Sequence, residues 1–484
     1  MGLPVAKDLN PDPNILEINL TAEVSPVEVT PGKRLNLWTY NGGIPGPLIR
    51  LKVGDRLIVH FTNNLPGSTT VHWHGLRVPI GVDGVPGASQ PDLAPGQSFT
   101  YDFVVPDAGL FWYHPHLRED VQQDLGLYGN LLVRSEDPAY YEPADRELVL
   151  MLDDLLIGEG GLVPFGRDRT THAFMGRFGN VTLVNGEPEY ETTIQAGQVV
   201  RLFLTNVSNV RTWNLSLPGA RIKVVAGDVS RFEREEWVSS IVIAPAERYV
   251  VDVMYEREGK YPLLNRVQAL DHQTGAYLPE VDTMGSVRVG LPRGHRERRD
   301  FAVLRSTGDV DPGLRDSLST TPARTLLLTV RVNEDSLPYG VIQAMRLDTA
   351  YLNPVEWTGT MPMMDWLSTT GEIRWILRDL ASGKENMAIE WQERRGSLVH
   401  VRLVNDRHTL HAMQHPIHLH GQRFLVLAQN EVATANLVWK DTAIVPAGGT
   451  LDLLVDFSNP GQWMMHCHIA EHLEAGMHAV VRVE

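Results

Sequence analysis

The same pair of strand signatures occurs three times along this chain, and that repetition constrains the fold more than any other feature. The first signature occupies residues 53–63, 196–206 and 395–405. Each copy is introduced by a glycine (Gly54, Gly197, Gly396) and closes on an asparagine (Asn63, Asn206, Asn405). The second ends at Gly109, Gly259 and Gly461. Counting back ten, eight, six and four residues meets Phe99, Tyr101, Phe103 and Val105 in the first copy. It meets Tyr249, Val251, Val253 and Tyr255 in the second, and Leu451, Leu453, Val455 and Phe457 in the third. Asp102, Asp252, Asp452 and Asp456 fall on the alternate positions. A period of two with one apolar face predicts strands buried on one side and wet on the other. Three copies predict an all-β chain of three similar antiparallel Greek-key sandwiches. We place them at 1–140, 141–290 and 325–484 of the 484 residues, with the charged, turn-rich stretch 291–324 as a crossing linker.

Composition narrows the partners. A hydrophobic fraction of 43% and a charged fraction of 21% are those of a soluble globular chain, and no apolar run is long enough for a membrane helix. The 43 basic and 59 acidic residues leave a formal charge of −16, which repels nucleic acid and anionic membranes and favours neutral or cationic small molecules. The N-terminal residues 1–8 lack the apolar core of a signal peptide. Cys467 is the one cysteine, so no intramolecular disulfide forms and cysteine usage does not report the compartment. A lone cysteine is usually a small buried hydrophobe; its neighbours here argue otherwise.

Ten of the 18 histidines fall in four clusters: His72 and His74; His114 and His116; His415, His418 and His420; His466, His468 and His472, with Cys467 inside the last and Met477 just after it. A single histidine on an apolar face is most often packed or capping, and His60, His172, His272, His295, His400, His408, His411 and His478 are read that way. The clusters differ because they recur in register with the repeat. His114 and His116 stand five and seven residues beyond Gly109, as His466 and His468 do beyond Gly461; the middle copy has Leu264 and Arg266 there, and Asn214 and Ser216 where the outer copies carry His72/His74 and His418/His420. Residues two apart on a strand share a face, so each outer copy projects four imidazoles and the middle copy none. Two half-sites predict one eight-histidine pocket between the first and third domains, with the middle domain as a metal-free spacer. Neutral imidazoles without carboxylate or thiolate suit copper or zinc. Cys467 points to the opposite face and joins His415, His472 and Met477: two imidazoles, a thiolate and a weak thioether, the ligand set of a blue electron-transfer copper. Its backbone neighbours belong to the other pocket, so covalent bonds join a single-electron port to a multinuclear cluster.

These motifs, with the stretch 40–47, resemble those of the multicopper oxidase family, and of three-domain bacterial laccases in particular. The resemblance implies cupredoxin-like domains and four copper ions per chain. It implies a type 1 copper on His415, Cys467 and His472 with Met477 axial, and a type 2 copper on His72 and His418. One type 3 copper would sit on His74, His114 and His468, and its partner on His116, His420 and His466. It implies one-electron oxidation of phenols or aromatic amines coupled to reduction of O2 to water, by a monomer that is periplasmic or extracellular with any leader absent from this sequence; a cytoplasmic location stays open. In the expected mechanism a donor yields an electron near the exposed edge of His472 or His415, and the electron passes through Cys467 to His466 or His468. An axial Met477 implies a lower type 1 potential than Leu or Phe. Leu473 stands where many bacterial members carry a glutamate tied to proton supply, which leaves Glu471 and Glu474 open in that role. Asp83 is the first choice of acid, against an ordinary Asp-Gly turn. Two alternatives remain: oxidation of cuprous or ferrous ions, with Met361, Met363 and Met364 as a soft site rather than gap-filling core, and a copper-binding electron carrier that does not reduce O2.

Overall fold

The computed structural model describes residues 2–165, 173–271, 276–292, 299–332, 355–358, 373–411 and 413–484. Met361, Met363, Met364, His172, His272 and His295 lie outside them.

The strands form three pairs of facing sheets. In the first pair, Lys33–Tyr40, Ile15–Thr30, Arg56–Asn64 and Ser98–Val104 lie side by side in that order, opposite Ile49–Lys52, Gly129–Arg134, Gly109–His114 and His72–His74. The second pair has Arg146–Leu155, Val200–Asn206 and Arg248–Tyr255 in one sheet and Gly259–Asp271 with Trp213–Ser216 in the other. The third sets Arg324–Val332, Ser397–Asn405 and Thr450–Phe457 against His478–Val483, Gly461–Cys467 and His415–Leu419. In each, the first signature pairs antiparallel with the second, and the apolar series reaches the core; only Phe99 and Tyr249 stay partly exposed. The chain is thus built of cupredoxin-like β-sandwiches.

Three expectations change. The sheets are mixed rather than antiparallel: the opening strand of each sandwich runs parallel to the first signature strand, because the chain visits the opposite sheet between them. The alternate face is not uniformly wet. Asp102 meets Arg56 at the surface, but Asp252 and Asp452 are buried, each held by an arginine, Arg201 on Asp252 and Arg402 on Asp452, with His400 also bonded to Asp452. The middle sandwich is also offset by two residues. His72 faces His114 and His418 faces His466, whereas Leu264 faces Ser216 and not Asn214; a slip of two keeps every side chain on its face.

The cores run across the sandwiches. Leu425, Leu427, Leu437, Trp439 and Leu454 of the third pack into the core of the first, beside Val229 of the second. Leu48, Leu110 and Leu132 of the first pack on Val149, Phe203 and Val250 of the second. The stretch expected to be a linker is docked in its described part. Val310, Leu314 and Leu318 pack on the first core, while Arg305 and Arg315 pair with Glu235 and Glu233. Contiguous apolar packing of this kind holds the first and third sandwiches together. Among the described residues, no helix is long and apolar enough to cross a membrane.

Candidate metal centre

Strand pairing brings five of the imidazoles into register, and His116, His420 and His468 follow just beyond the ends of their strands. His72 stands opposite His114 in one sheet and His418 opposite His466 in another, so the same-face rule points His72, His74 and His114 one way and His418 and His466 another. The two faces meet. The rings of His74 and His418 stack at 3.8 Å between centroids and those of His72 and His420 lie 4.1 Å apart. Nε2 of His420 is 3.2 Å from Nε2 of His116 and 3.0 Å from Nε2 of His466, and His468 lies against His74 and His114. All eight are buried.

Buried polar atoms are nearly always satisfied, and here the pattern of satisfaction has a direction. Nδ1 of His72 donates to the carbonyl of Asp83 (2.7 Å), Nδ1 of His114 to that of Pro115 (2.8 Å), Nδ1 of His418 to that of Asp441 (2.9 Å) and Nδ1 of His466 to that of Cys467 (2.9 Å). Nδ1 of His420 donates to Asp83 Oδ2 (3.0 Å). His74 is reversed, with Nε2 donating to Asp441 Oδ1 (3.1 Å). The opposite nitrogens of His72, His74, His114 and His418, and both of His468, have no hydrogen-bond partner. An outward hydrogen bond that fixes the tautomer and leaves a bare nitrogen facing inward is how metal-ligating histidines are held. Burial pushes His74, His114, His116, His420, His466 and His468 well below the ordinary histidine range, so they stay neutral and their lone pairs stay free. Sets of these nitrogens, His72/His74/His114, His72/His418/His420 and His116/His420/His466, each fall within 4.8 Å of one another. The residues fit a multinuclear cluster.

On the other face of Gly461–Cys467, Cys467 Sγ lies 3.5 Å from His415 Nδ1 and 3.7 Å from His472 Nδ1, and the two nitrogens are 3.3 Å apart. Ligands at about 2.0 Å (N) and 2.3 Å (S) in a trigonal plane would lie ~3.4–3.8 Å from each other, so this triangle fits one ion. Burial raises the Cys467 thiol and takes His472 down to about 3; with the thiol raised, a cation is needed to hold the thiolate. The short helix Ala470–Glu474 carries His472 back over Cys467, and the Cys467 amide donates to the carbonyl of buried Met477 (3.1 Å).

Family models of multicopper oxidases match residues 21–138, 165–279 and 381–484. Multicopper oxidase MmcO of Mycobacterium tuberculosis is 30% identical over 480 residues, 92% of this chain and 83% of that protein. The chain is a member of the multicopper oxidase family. Laccase-2 of Botryotinia fuckeliana is 27% identical, covering 93% of this chain and 79% of its own. Copper resistance protein A of Escherichia coli is 26% identical, covering 100% and 94%. The crystal structure of a multi-copper oxidase from Pseudomonas thermotolerans aligns with a TM-score of 0.73 at 27% identity, covering 97% of this chain and 99% of that one. A multicopper oxidase is an oxidoreductase that binds copper, and the two donor sets are groups that could hold a metal ion.

In this multicopper oxidase the edges of His415 and His472 are not exposed, contrary to expectation. Both residues are fully buried: His472 Nε2 donates to the carbonyl of Phe174 (3.0 Å), and Trp375 lies 4.1 Å from the His472 ring while its Nε1 donates to the carbonyl of Ala173. Residues 173–175 of the middle sandwich therefore cap the site. Asp83 is both a turn residue and part of the pocket. It follows the turn Ile80–Val82, and Gly84 after it has φ +82, where a Cβ would overlap the carbonyl of Val71; its carboxylate meanwhile reaches one histidine from each half-site, His72 at 3.3 Å and His420 at 3.0 Å. Glu471 accepts from the Arg177 amide (3.0 Å) and burial pushes it up to about 8; Glu474 sits 3.8 Å from Arg118. Of the other histidines, His60 pairs with Glu17 and His400 with Asp452; His411 packs against Phe174.

Sequence reasoning missed Asp441, Arg248, Phe174 and Trp375. Burial pushes Asp441 up, but the Arg248 guanidinium outweighs it and holds the carboxyl well below the usual range. The one available signal was Lys440-Asp441, a charged pair interrupting the apolar run from Val438 to Val445.

Proposed function

We propose that this multicopper oxidase is of the laccase type, coupling one-electron oxidation of phenols or aromatic amines to four-electron reduction of O2 to water. The observation that carries the reading is the junction at Cys467. Its Sγ belongs to one donor set while its immediate neighbours His466 and His468 belong to the other, so a few covalent bonds connect them. His415, Cys467 and His472, with Met477, would hold one copper; His72 and His418 would hold a second; His74, His114 and His468 a third; His116, His420 and His466 a fourth. The bound ions would supply the one-electron steps that O2 reduction needs. The chain supplies fixed neutral imidazoles, a buried pocket, and an acid beside it. Asp83 has Oδ1 without a hydrogen-bond partner and is proposed to hold a proton for the reacting oxygen. Asp83→Asn should then lower O2 turnover about 100-fold or more with donor oxidation at the blue site intact; unchanged turnover removes Asp83 from the mechanism.

The cap over His472 favours a second reading, in which the donor is a cuprous or ferrous ion, because an aromatic ring cannot rest on an imidazole edge it does not reach. A carrier that does not reduce O2 would need one ion, and the eight further imidazoles argue against it. Copper loading followed by a metal count, a visible spectrum and O2 uptake tests the oxidase. Four coppers, a blue band and uptake with a donor are expected; one copper and no uptake would leave the carrier. Catalytic efficiency on a phenol against Cu(I) separates the two donors. A monomer outside the cytoplasm is proposed on the resemblance to laccases.

A further inference from the structure

Among the described residues the middle sandwich contributes no histidine to the pocket, yet one of its side chains lies where all three sandwiches meet. Arg248 opens the strand Arg248–Tyr255 and is fully buried. Its guanidinium grips Asp441 of the third sandwich with both Nη atoms (2.7 and 2.5 Å), while Nε donates to the carbonyl of Leu110 in the first (3.0 Å). The carbonyls of Ala246 and Asp228 take its remaining hydrogens (3.1 and 3.3 Å). The five donors of a planar guanidinium are thus all engaged.

What Asp441 does with the other side of its carboxylate makes this more than a structural ion pair. Oδ1 accepts from His74 Nε2 (3.1 Å) and from the Thr442 hydroxyl (2.8 Å), and lies 3.4 Å from His418 Nδ1, which donates to the Asp441 carbonyl. His74 belongs to the first half-site and His418 to the third. Asp441 therefore orients one imidazole from each terminal sandwich, and these are the two whose rings stack. His74 is also the histidine that faces its bare Nδ1 inward where His72, His114 and His418 offer Nε2, so the Asp441 contact selects its tautomer. The backbone makes room for the clamp: Gly75, directly after His74, has φ +86, and a Cβ there would overlap the Arg248 guanidinium and approach Asp441 Oδ2 to 2.6 Å.

The geometry points to Arg248 as a positioning residue of the multinuclear centre: by clamping Asp441 it sets the ring orientation and tautomer of His74 and the orientation of His418, so the middle domain aligns the two half-sites. This rests on the copper reading above. Arg201 provides the control, since it forms an equally buried two-point pair with Asp252 in the same sandwich (2.8 and 2.8 Å). Wild type, Arg248→Met, Asp441→Asn and Arg201→Met are loaded with copper and dialysed against a chelator. Copper per chain, the type 2 EPR hyperfine coupling, the blue band and the thermal midpoint are then measured. Arg248→Met and Asp441→Asn should keep the blue band but release the remaining coppers about 10- to 100-fold more readily, with a changed type 2 hyperfine coupling. Arg201→Met should lower the thermal midpoint and leave both copper signatures alone. Wild-type retention and hyperfine coupling in Arg248→Met, or equal loss in Arg201→Met, would overturn the assignment. If Arg248→Met does not fold, Arg248→Lys keeps the charge without the fork; a changed hyperfine coupling is again expected, and an unchanged one counts against the inference. A wild type that takes up no copper would instead defeat the copper reading.

Discussion

At the scale of single residues, Cys467 is, among the described residues, the one side chain whose two chain neighbours face a different donor set from its own. Cys467→Ser should therefore remove the blue band and one copper per chain while leaving the eight-histidine pocket loaded, and O2 uptake driven by organic donors should fall to background; visible absorption with a copper count checks this. Asp124, buried against Arg177 (3.0 Å), makes a prediction about pH. Burial pushes its carboxyl up to about 7 despite the arginine. An acid that is harder to ionise when folded favours the unfolded chain as pH climbs between its two values, here from 3.8 to about 7. Wild type should lose stability relative to Asp124→Asn across that window, on the order of 1–4 kcal/mol, whatever constant offset the substitution adds; denaturant titrations at several pH values on the metal-free chain would show it. That His72 and His74 share a face was legible from spacing, because residues two apart on a strand have no choice of side, whereas His116, His420 and His468 lie just past the ends of their strands. Asp441 was not legible, because its carboxylate meets His74 across 367 positions of sequence and no local period announces such a meeting.

At the scale of elements, the alternating strands were readable and their neighbours were less so. Periodicity reports which face is apolar, and says nothing about what lies against the polar one. Asp252 and Asp452 accordingly proved to be buried beside cations, although their alternation matched that of exposed Asp102. The cap over His472 escaped for the same reason: residues 173–175 reach the site through backbone carbonyls, which any sequence can supply. Trp375 ties that cap down by donating to the Ala173 carbonyl (2.6 Å). Trp375→Phe should loosen it at the expense of a single neutral hydrogen bond, raising catalytic efficiency on a bulky phenol by about 2- to 10-fold relative to a small metal ion. Parallel steady-state kinetics on the two donors would read the ratio, and an unchanged ratio would show that the cap does not govern access.

At the scale of the whole molecule, the pocket and the fold support each other. Eight desolvated imidazoles, five of them with bare nitrogens, are a burden to the empty chain that bound ions relieve, since anything bound only by the folded state stabilises it. Stripping the copper should lower the midpoint of thermal unfolding by on the order of 10 °C, and calorimetry before and after chelation measures it. The pocket also has a consequence for biosynthesis. Its histidines come from residues 72–116 and 418–468, so a ribosome releases one half long before the other. A nascent chain displays an open set of four imidazoles and nothing opposite them. The finished vessel exists only after the final strands have docked, which makes metal insertion a step of maturation rather than of translation.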